Sequence, residues 1–351
     1  AWRMHAPERA FEVALAWLVI SCPCALSMAI PAALAAASSA LAKLGVLPVR
    51  GDALERLAGI DVMVFDKTGT LGDGVPTLGD VALFADVSRE EALCIAAALE
   101  RDSTHPLARA FAGIADAPPA QEVATHAGAG IEGRVDGRHW RLGHAPFACR
   151  GEDDGALWLG DGTHACARFV IHERQREDAS AALSDLRAQG IDLQLLSGDG
   201  SDAVRRFADA LGLPQHRARQ TPEQKLAAVR ELQAQGRTVA MVGDGINDAP
   251  VLAAADVSFA IGDGAALATR NADLVLASPA LLRIPQAVAL ARRTRTVIRQ
   301  NLAWALGYNL LALPLAALGL VTPWLAALGM ALSSLTVTLN ALRLARTGRA
   351  A

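Results

Sequence analysis

An unbroken run without a charged side chain, from Val13 to Ala42, constrains the fold of this chain more than any other feature. A helix of about 20 predominantly apolar residues is long enough to cross the hydrocarbon core of a bilayer. The composition agrees with a chain that lies partly in lipid, since 52% of the 351 residues are hydrophobic and only 20% are charged. We therefore expect a membrane-spanning helix within residues 1–45.

A second uncharged stretch, Gln300 to Leu342, is interrupted by the sequence GLVTPW at Gly319–Trp324, which favours a tight turn. The stretch therefore predicts a membrane-embedded helical hairpin within residues 286–351. Arginines flank it on both sides: Arg292, Arg293, Arg295, Arg299, Arg343, Arg346 and Arg349. The positive-inside tendency places both hairpin ends in the cytoplasm. Because the first ten residues do not resemble a signal peptide, we expect the C-terminal part of a longer membrane protein.

The residues between the membrane segments have the composition of a soluble protein. Short β-branched runs, DVMVFD and TVAMVGD, alternate there with helical patterns over residues 201–211 and 222–235. This alternation is typical of a parallel α/β sheet. The formal net charge of −3 provides no basic field for a phosphate backbone, so we expect no nucleic-acid partner.

The sequence VFDKTGTL, residues 64–71, places Asp66 at the end of an apolar strand and before a small, hydroxyl-rich loop. At the carboxyl edge of a parallel sheet, such a loop presents backbone N–H groups to a phosphate. An aspartate can also act as a covalent nucleophile in phosphoryl transfer. Taken alone, the same pattern would equally suit an ordinary strand-to-turn junction.

Two further segments, LLSGDG at residues 195–200 and MVGDGINDAP at residues 241–250, repeat the pattern of an apolar strand ending in Gly-Asp. They supply Ser197, Asp199, Asp244, Asn247 and Asp248, and Lys225 precedes the last strand. Carboxylates gathered at one sheet edge would bind Mg²⁺. Lys225 and the metal would then neutralise charge on phosphoryl oxygens.

With these motifs the sequence resembles the P-type ATPases, cation pumps whose phosphorylation domain belongs to the haloacid dehalogenase superfamily. The resemblance implies that Asp66 is autophosphorylated, and that Ser197, Lys225 and Asn247 contact the phosphoryl group. The implied catalytic set is Asp66, Lys67, Thr68, Thr70, Ser197, Gly198, Asp199, Lys225, Asn247 and Asp248. The implied Mg²⁺ ligands are Asp66, Thr68 through its carbonyl, Asp244 and Asp248. The family usually has Thr-Gly-Asp where this chain has Ser-Gly-Asp, and Leu-Thr-x-Gly where it has Leu71-Gly72-Asp73-Gly74.

The fold class implied by the resemblance is α/β plus transmembrane α-helices, with a haloacid dehalogenase-like Rossmannoid domain, an inserted α/β nucleotide-binding domain and three membrane helices. The expected order is a membrane helix (1–45), the first part of the phosphorylation domain (46–76), the nucleotide-binding domain (77–168), the second part of the phosphorylation domain (169–285), and the hairpin with a cytoplasmic tail (286–351).

Two motifs within the expected insertion resemble the nucleotide domain of heavy-metal pumps. LERDSTHPLARAF carries Glu100 and His105, and HAGAGIEGRVDG carries Gly128 and Gly130. The resemblance implies that ATP binds there, with the histidine beside the adenine and the glycines allowing the backbone to approach the nucleotide. The remaining histidines of the region have an ordinary surface or core interpretation: His126, His139, His144 and His164.

The sequence LVISCPCALSMAIP, residues 18–31, places Cys22 and Cys24 around a proline inside the first apolar run. A thioredoxin-like pair would have two intervening residues and a soluble setting, whereas a proline-kinked helix with packed thiols remains an alternative. Soft sulfur ligands select Cu⁺, and a Zn²⁺ pathway would include a carboxylate or imidazole. No Asp or Glu occurs in the three expected spans.

Cys-Pro-Cys, Tyr-Asn and Met-x-x-Ser-Ser, in this order, are what the copper-transporting branch of the P-type ATPases shows in its last three helices. The resemblance implies a site for the transported Cu⁺ formed by Cys22, Cys24, Tyr308, Asn309, Met330 and Ser334. The hairpin sequence also looks similar to the subgroup that supplies copper to respiratory oxidase assembly, while copper detoxification remains open. A cytosolic copper chaperone and an outer-face copper acceptor are the expected partners.

We therefore expect ATP-driven Cu⁺ export across an inner membrane, with multiple spans and the soluble domains in the cytoplasm. Three alternatives stay open. One is a Zn²⁺ or Cd²⁺ pump, and a second is a copper-binding membrane sensor. The third is a membrane-anchored phosphatase of the same superfamily, which would need an aspartate where Thr68 stands.

Overall fold

The computed structural model describes residues 7–85, 87–103, 105–115, 117–126, 128–244, 248–261 and 272–345. The chain divides into two compact units. The first unit comprises residues 1–63, 180–192 and 228–351, and the second comprises residues 64–179 and 193–227. This division into two units does not test the domain boundaries predicted from the sequence, which remain predictions.

The secondary structure alternates helices and strands between two groups of long helices. The helices are α1 (Pro7–Ser21), α2 (Cys24–Lys43), α3 (Ala53–Leu57), α4 (Arg89–Glu100), α5 (Ala145–Ala148), α6 (Ala179–Ala188), α7 (Ser201–Ala210), α8 (Pro222–Ala234), α9 (Ala249–Ala254), α10 (Arg283–Ala317) and α11 (Pro323–Ala345). The strands are β1 (Val46–Pro48), β2 (Val62–Asp66), β3 (Gly72–Leu83), β4 (Gln121–His126), β5 (Gly130–Val135), β6 (Arg138–Gly143), β7 (Leu157–Gly160), β8 (Ala165–Gln175), β9 (Asp192–Leu196), β10 (His216–Arg217), β11 (Val239–Gly243), β12 (Val257–Ile261) and β13 (Leu274–Leu276).

The larger sheet has seven strands in the described residues, in the order β1-β13-β12-β11-β2-β9-β10. Strand β12 pairs in parallel with β11 and β13, whereas β1 adds an antiparallel edge. Every residue of β2, β11 and β12 is buried. Continuous apolar runs of this kind suit parallel strands that are covered on both faces. The predicted parallel α/β sheet is therefore confirmed.

The second unit contains an antiparallel sheet of six described strands in the order β3-β8-β7-β6-β5-β4. Buried side chains of α4 pack against this sheet together with Phe111, Trp140 and Phe169. The rings of Phe111 and Phe169 meet edge to face with centroids 5.5 Å apart. Strands β3 and β8 together carry the chain from the end of β2 into this sheet and back, so the sheet forms an insertion.

Two helical segments are long and apolar enough to cross a membrane by length and composition, namely residues 9–43 and 323–345. Helix α10 forms the expected hairpin with α11, but Gln300, Asn301 and Asn309 lower the hydropathy of its apolar half. The side chain of Asn301 is buried, and its amide donates to the carbonyls of Ala29 and Val337 at 3.5 and 3.4 Å. This polar group therefore faces the neighbouring helices.

Large apolar side chains are exposed along the same helices. Among the described residues, all but five of the exposed large hydrophobic side chains lie in residues 11–30 or 304–342. Phe11 and Leu310 are each 75% exposed, and Leu311 is 72% exposed. A water-soluble protein rarely leaves a contiguous apolar surface of this extent uncovered. The pattern fits contact with lipid, as the sequence predicts.

Candidate functional site

The carboxylate of Asp66 lies at the end of strand β2 and is paired with a lysine from helix α8. Asp66 is 6% exposed and Lys225 is 7% exposed. The ammonium of Lys225 lies 2.5 Å from Asp66 Oδ1. Burying two such charges costs solvation energy that only close pairing offsets. The structure thus brings together the predicted nucleophile and the predicted charge-neutralising lysine.

The turn after Asp66, Lys67–Leu71, leaves one polar side-chain atom without a partner. Gly69 has φ of 70°, which a residue with a side chain rarely adopts, and so lets the chain reverse. Thr70 is fully buried, and its hydroxyl contacts no hydrogen-bonding group of the described residues. A buried hydroxyl without a partner is costly. This arrangement fits a turn that holds a donor ready for a phosphoryl oxygen.

Lys67 contacts two carboxylates within the second unit. Its ammonium lies 3.1 Å from Glu173 Oε2 and pairs with Asp199 Oδ2. Burial opposes the charged form of Lys67, but the Asp199 and Glu173 carboxylates outweigh it and raise the pKa of the ammonium above 10.5. Lys67 is therefore held in its charged form, and it joins the turn to strand β8 through Glu173 and to the Ser-Gly-Asp segment through Asp199.

Glu173 is a site residue that the sequence does not predict. Its Oε1 atom accepts hydrogen bonds from the backbone N–H groups of Gly69 at 3.0 Å and Gly74 at 2.9 Å. A Cβ atom on Gly72 would lie 2.2 Å from the Glu173 carboxyl carbon. The glycine that departs from the usual Leu-Thr-x-Gly pattern therefore makes room for this carboxylate. That departure signals that another side chain approaches residue 72, but it does not identify Glu173 as that side chain.

The Ser-Gly-Asp segment follows strand β9. Ser197 is 1% exposed, and its Oγ accepts a hydrogen bond from the backbone N–H of Asp199 at 3.1 Å. A cleft of about 520 Å³ lies beside it and is lined, among others, by Lys67, Thr68, Gly198 and Asp199. Predicted site residues from the turn after β2 and from the Ser-Gly-Asp segment after β9 thus line the same cleft.

The four predicted nucleotide residues surround a separate cavity of about 260 Å³. Glu100, His105, Gly128 and Gly130 all line it. Glu100 is 8% exposed, and its Oε2 atom lacks a hydrogen-bond partner among the described residues. This orphaned carboxylate oxygen fits an acceptor for an N–H donor of a ligand such as the amino group of adenine.

Two histidines that the sequence assigned to ordinary surface or core roles also line this cavity. His126 lies 2.9 Å from Glu132, and its ring stands 5.1 Å from that of Phe147. His144 belongs to this cavity and also to the cleft beside Lys67. The two cavities therefore adjoin, which would allow one ligand to reach from Glu100 toward Lys67.

The two glycines of the nucleotide motif have different roles in the backbone. Gly130 has φ of 155°, and a Cβ atom there would lie 2.3 Å from the Leu142 carbonyl oxygen. Gly128 has φ of 74° with open space around it. Gly130 thus permits the close approach of strands β5 and β6, whereas Gly128 supplies a left-handed turn beside the cavity.

The remaining predicted catalytic residues lie in the first unit. Asp244 follows strand β11, and Asp248 is 1% exposed just before helix α9. Asn247 lies outside the described residues. Across the described ranges, no group of three or more His, Cys, Asp and Glu side chains is arranged to hold a metal.

The apolar run of the N-terminal helices is broken at the Cys-Pro-Cys motif. Helix α1 ends at Ser21 and α2 begins at Cys24, with Pro23 between them. The Cα atoms of Cys22 and Cys24 are 5.5 Å apart, and their sulfurs are bonded to each other. This disulfide was not expected from the sequence. Both sulfurs nevertheless reach the same point beside the break.

Two apolar clusters pack the membrane helices on either side of this break. The first apolar cluster consists of Ala16, Ile20, Ala316 and Ala326. The second apolar cluster consists of Ala25, Ala29, Ala305 and Val337. Each cluster joins an N-terminal helix to both α10 and α11. Residues that lie between the two clusters along each helix are therefore at the same level as the break.

The other predicted metal ligands lie at this intermediate level. Tyr308 and Asn309 stand between the clusters on α10, and Met330 and Ser334 stand between them on α11. All four are half-buried. The neighbouring Ser333 is 2% exposed and accepts a hydrogen bond from Trp304 Nε1 at 3.2 Å. Ser333 is thus already engaged, whereas Ser334 is at the level of the break.

Comparisons with known proteins agree with this architecture. The family model of haloacid dehalogenase-like hydrolases matches residues 60–256. Nitrogen fixation protein FixI of Rhizobium leguminosarum bv. viciae is 41% identical over 352 residues, covering 97% of this chain and 46% of that protein. A copper-exporting P-type ATPase of Bacillus subtilis is 37% identical over 351 residues, covering 94% of this chain and 44% of that protein.

A solved structure has the same fold over most of the chain. The crystal structure of a zinc-transporting PIB-type ATPase in the E2.Pi state superposes with a TM-score of 0.79 and 36% identity, covering 93% of this chain and 57% of that one. The chain thus spans about half the length of the curated relatives that it matches. The chain belongs to the haloacid dehalogenase-like hydrolase family, and its homologues are heavy-metal P-type ATPases.

Proposed function

We propose that the full-length protein exports Cu⁺ across the cytoplasmic membrane, driven by ATP through a phosphorylated Asp66. The observation that carries this proposal is the buried Asp66–Lys225 pair at the end of strand β2. A carboxylate held there is oriented by its lysine and shielded from water. It can therefore attack the γ-phosphorus of ATP, forming the aspartyl phosphate as the bond to the ADP oxygen breaks.

The residues around Asp66 provide electrostatic stabilisation for this transfer. The Lys225 ammonium neutralises negative charge that builds on the phosphoryl oxygens. The unpartnered hydroxyl of Thr70 and the hydroxyl of Ser197 are available as further donors. Mg²⁺ would add charge neutralisation, and the carboxylates of Asp244 and Asp248 and the carbonyl of Thr68 are the hard oxygen ligands it prefers.

The adjoining cavities of the second unit support ATP as the phosphoryl donor. Glu100 and His105 would hold the base in the smaller cavity, beside the backbone at Gly128 and Gly130. The cleft lined by Lys67 and Asp199 would then receive the phosphates. A nucleotide that extends from one cavity into the other would have its γ-phosphate in the cleft lined by Lys67 and Thr68, the two residues that follow Asp66.

The donor set at the helix break supports Cu⁺ as the cargo. Reduced Cys22 and Cys24 would supply two thiolates, with Met330 adding a thioether at the same level of the helices. Tyr308, Asn309 and Ser334 complete the proposed lining. Soft sulfur ligands favour a soft monovalent ion. The name of the copper-exporting relative from Bacillus subtilis agrees with this choice.

A second candidate cargo is Zn²⁺, because the similar solved structure is described as zinc-transporting. No Asp or Glu lies between Val13 and Ala42 or between Gln300 and Leu342. A divalent ion would therefore meet two thiolates and no carboxylate at this depth. This charge balance favours Cu⁺.

The proposal extends to cellular context. The soluble units would face the cytoplasm of a bacterial-type inner membrane, with a cytosolic copper chaperone delivering the ion and an outer-face acceptor receiving it. The exported copper would serve either detoxification or respiratory oxidase assembly. These partners follow from the proposed cargo, and each depends on it.

ATP hydrolysis by the full-length protein in vesicles, measured with Cu⁺, Ag⁺ or Zn²⁺, tests the cargo. We expect stimulation by the two monovalent ions and none by Zn²⁺. Stimulation by Zn²⁺ alone would reject Cu⁺ in favour of the second candidate. Asp66→Asn serves as the control and should abolish the stimulated activity with any ion.

A further inference from the structure

A third cavity, of about 480 Å³, lies in the first unit between helices α2, α3 and α10. Its apolar lining residues include Leu34 and Ile298. Its lining also includes Arg56, Arg295 and Arg299, with Glu55 as the acidic residue. None of the residues predicted for phosphorylation, nucleotide or metal binding lines this cavity.

Two of these arginines have no counter-ion among the residues that the structure describes. Arg56 is engaged, because it lies 2.6 Å from Asp52 and donates to the Asp256 carbonyl at 3.3 Å. Arg295 and Arg299 are exposed and form no ion pair or hydrogen bond with any described residue. They stand one helical turn apart on α10, where like charges repel each other. An anion between them would remove this repulsion.

The cavity lies close to the lipid-facing part of the helices. The uncharged part of α10 begins at Gln300, directly after Arg299. Trp304, which is 50% exposed, follows five residues later, about 7–8 Å along the helix axis. Tryptophan is enriched at the membrane–water interface. Leu34 belongs to the apolar segment of residues 9–43, so one wall is continuous with the membrane-crossing surface.

We propose that this cavity binds the phosphodiester headgroup of an anionic membrane lipid. The phosphate would lie between Arg295 and Arg299, and the start of the acyl chains would pack on Leu34 and Ile298. Basic pockets at the cytoplasmic ends of membrane helices suit such headgroups, because each basic residue near the surface contributes to binding. The site requires embedding in a membrane but does not depend on which ion is transported.

Lipid retention by the purified full-length protein tests the proposal. The protein in detergent would be mixed with equal amounts of dioleoylphosphatidylglycerol and dioleoylphosphatidylcholine, and bound lipids would be counted by native mass spectrometry. We expect the anionic lipid to be preferred, and Arg295→Gln/Arg299→Gln to weaken its binding roughly 30-fold. Arg293→Gln is the matched control, because Arg293 is exposed on the same helix but does not line the cavity.

Three results would overturn the proposal. The first is equal retention of both lipids by the unaltered protein. The second is an unchanged preference in the double variant, with thermal unfolding used to verify that it is folded. The third is displacement of the lipid by millimolar inorganic phosphate, because that would identify a site for free phosphate rather than for a lipid.

Discussion

Replacement of Glu173 separates two contributions of this side chain to the phosphorylation loop. Its Oε1 atom accepts two backbone N–H groups, from Gly69 and Gly74, and its Oε2 atom pairs with Lys67. The side chain is 9% exposed, so water cannot replace these contacts. Each hydrogen bond to a charged group contributes about 1.5–3 kcal/mol. Glu173→Ala removes three such contacts and should therefore destabilise the loop by about 4.5–9 kcal/mol.

Glu173→Gln should have a smaller effect. The glutamine carbonyl oxygen can still accept both backbone N–H groups, and Lys67 retains its pairing with Asp199. The loss is then confined to one charged contact, about 1.5–3 kcal/mol. The glutamine variant should form a reduced but measurable phosphoenzyme, whereas the alanine variant should form almost none.

Phosphoenzyme formation from radiolabelled ATP and urea-induced unfolding would be measured side by side. Glu177→Gln is the matched control, because Glu177 is exposed and four residues further along the chain. It should change stability by less than about 0.5 kcal/mol. Equal behaviour of the alanine and glutamine variants would refute the argument, since it would mean that the two backbone hydrogen bonds do not hold the loop.

Three further predictions concern other parts of the second unit. Lys225→Met removes the ammonium that pairs with Asp66, so the free energy of unfolding should fall by about 3–5 kcal/mol. Phosphoenzyme formation should slow about 100-fold. A rate near that of the unaltered protein in rapid-quench experiments would contradict this prediction. Glu100→Gln should weaken ATP binding in calorimetry while the midpoint of unfolding stays unchanged, because Glu100 Oε2 has no hydrogen-bond partner to lose among the described residues. The pKa of Glu132 lies below 4.5, chiefly because the side chain is hydrogen-bonded to His126. The ionised Glu132 carboxylate therefore stabilises the folded protein above pH 4.5, and this stabilisation is lost as the pH falls through the lowered pKa. Urea unfolding of Glu132→Gln should show a shallower loss at acid pH, and an unchanged pH dependence would argue against it.

The sequence predicts the parts of the fold that rest on local patterns. Strand β2 and the helices α7 and α8 follow from periodicity and from the apolar runs. These elements are predictable because they depend on neighbouring residues. Lys225 was expected to contact the phosphoryl group, but its direct pairing with Asp66, 159 residues away along the chain, was not predicted.

Features that depend on long-range contacts were not predictable from the sequence. Glu173 reaches the loop from a strand that lies about a hundred residues further along the chain, and its sequence context has no motif. The cavity-lining positions of His126 and His144 depend on how β5, β6 and α5 pack. The Cys22–Cys24 bond likewise depends on the geometry of the helix break. Pro23 predicts that the helix is interrupted, but it does not predict how the two sulfurs are placed.

The most direct test of the account is whether the sulfurs in the membrane control phosphorylation of Asp66. Phosphoenzyme formation from radiolabelled ATP would be followed in the full-length protein under reducing conditions, with and without Cu⁺. We predict Cu⁺-dependent labelling that is lost in Cys22→Ser/Cys24→Ser and in Asp66→Asn, and kept in Met28→Leu, where the exposed Met28 is replaced. Undiminished Cu⁺-dependent labelling of the double cysteine variant would contradict control of Asp66 phosphorylation by these sulfurs.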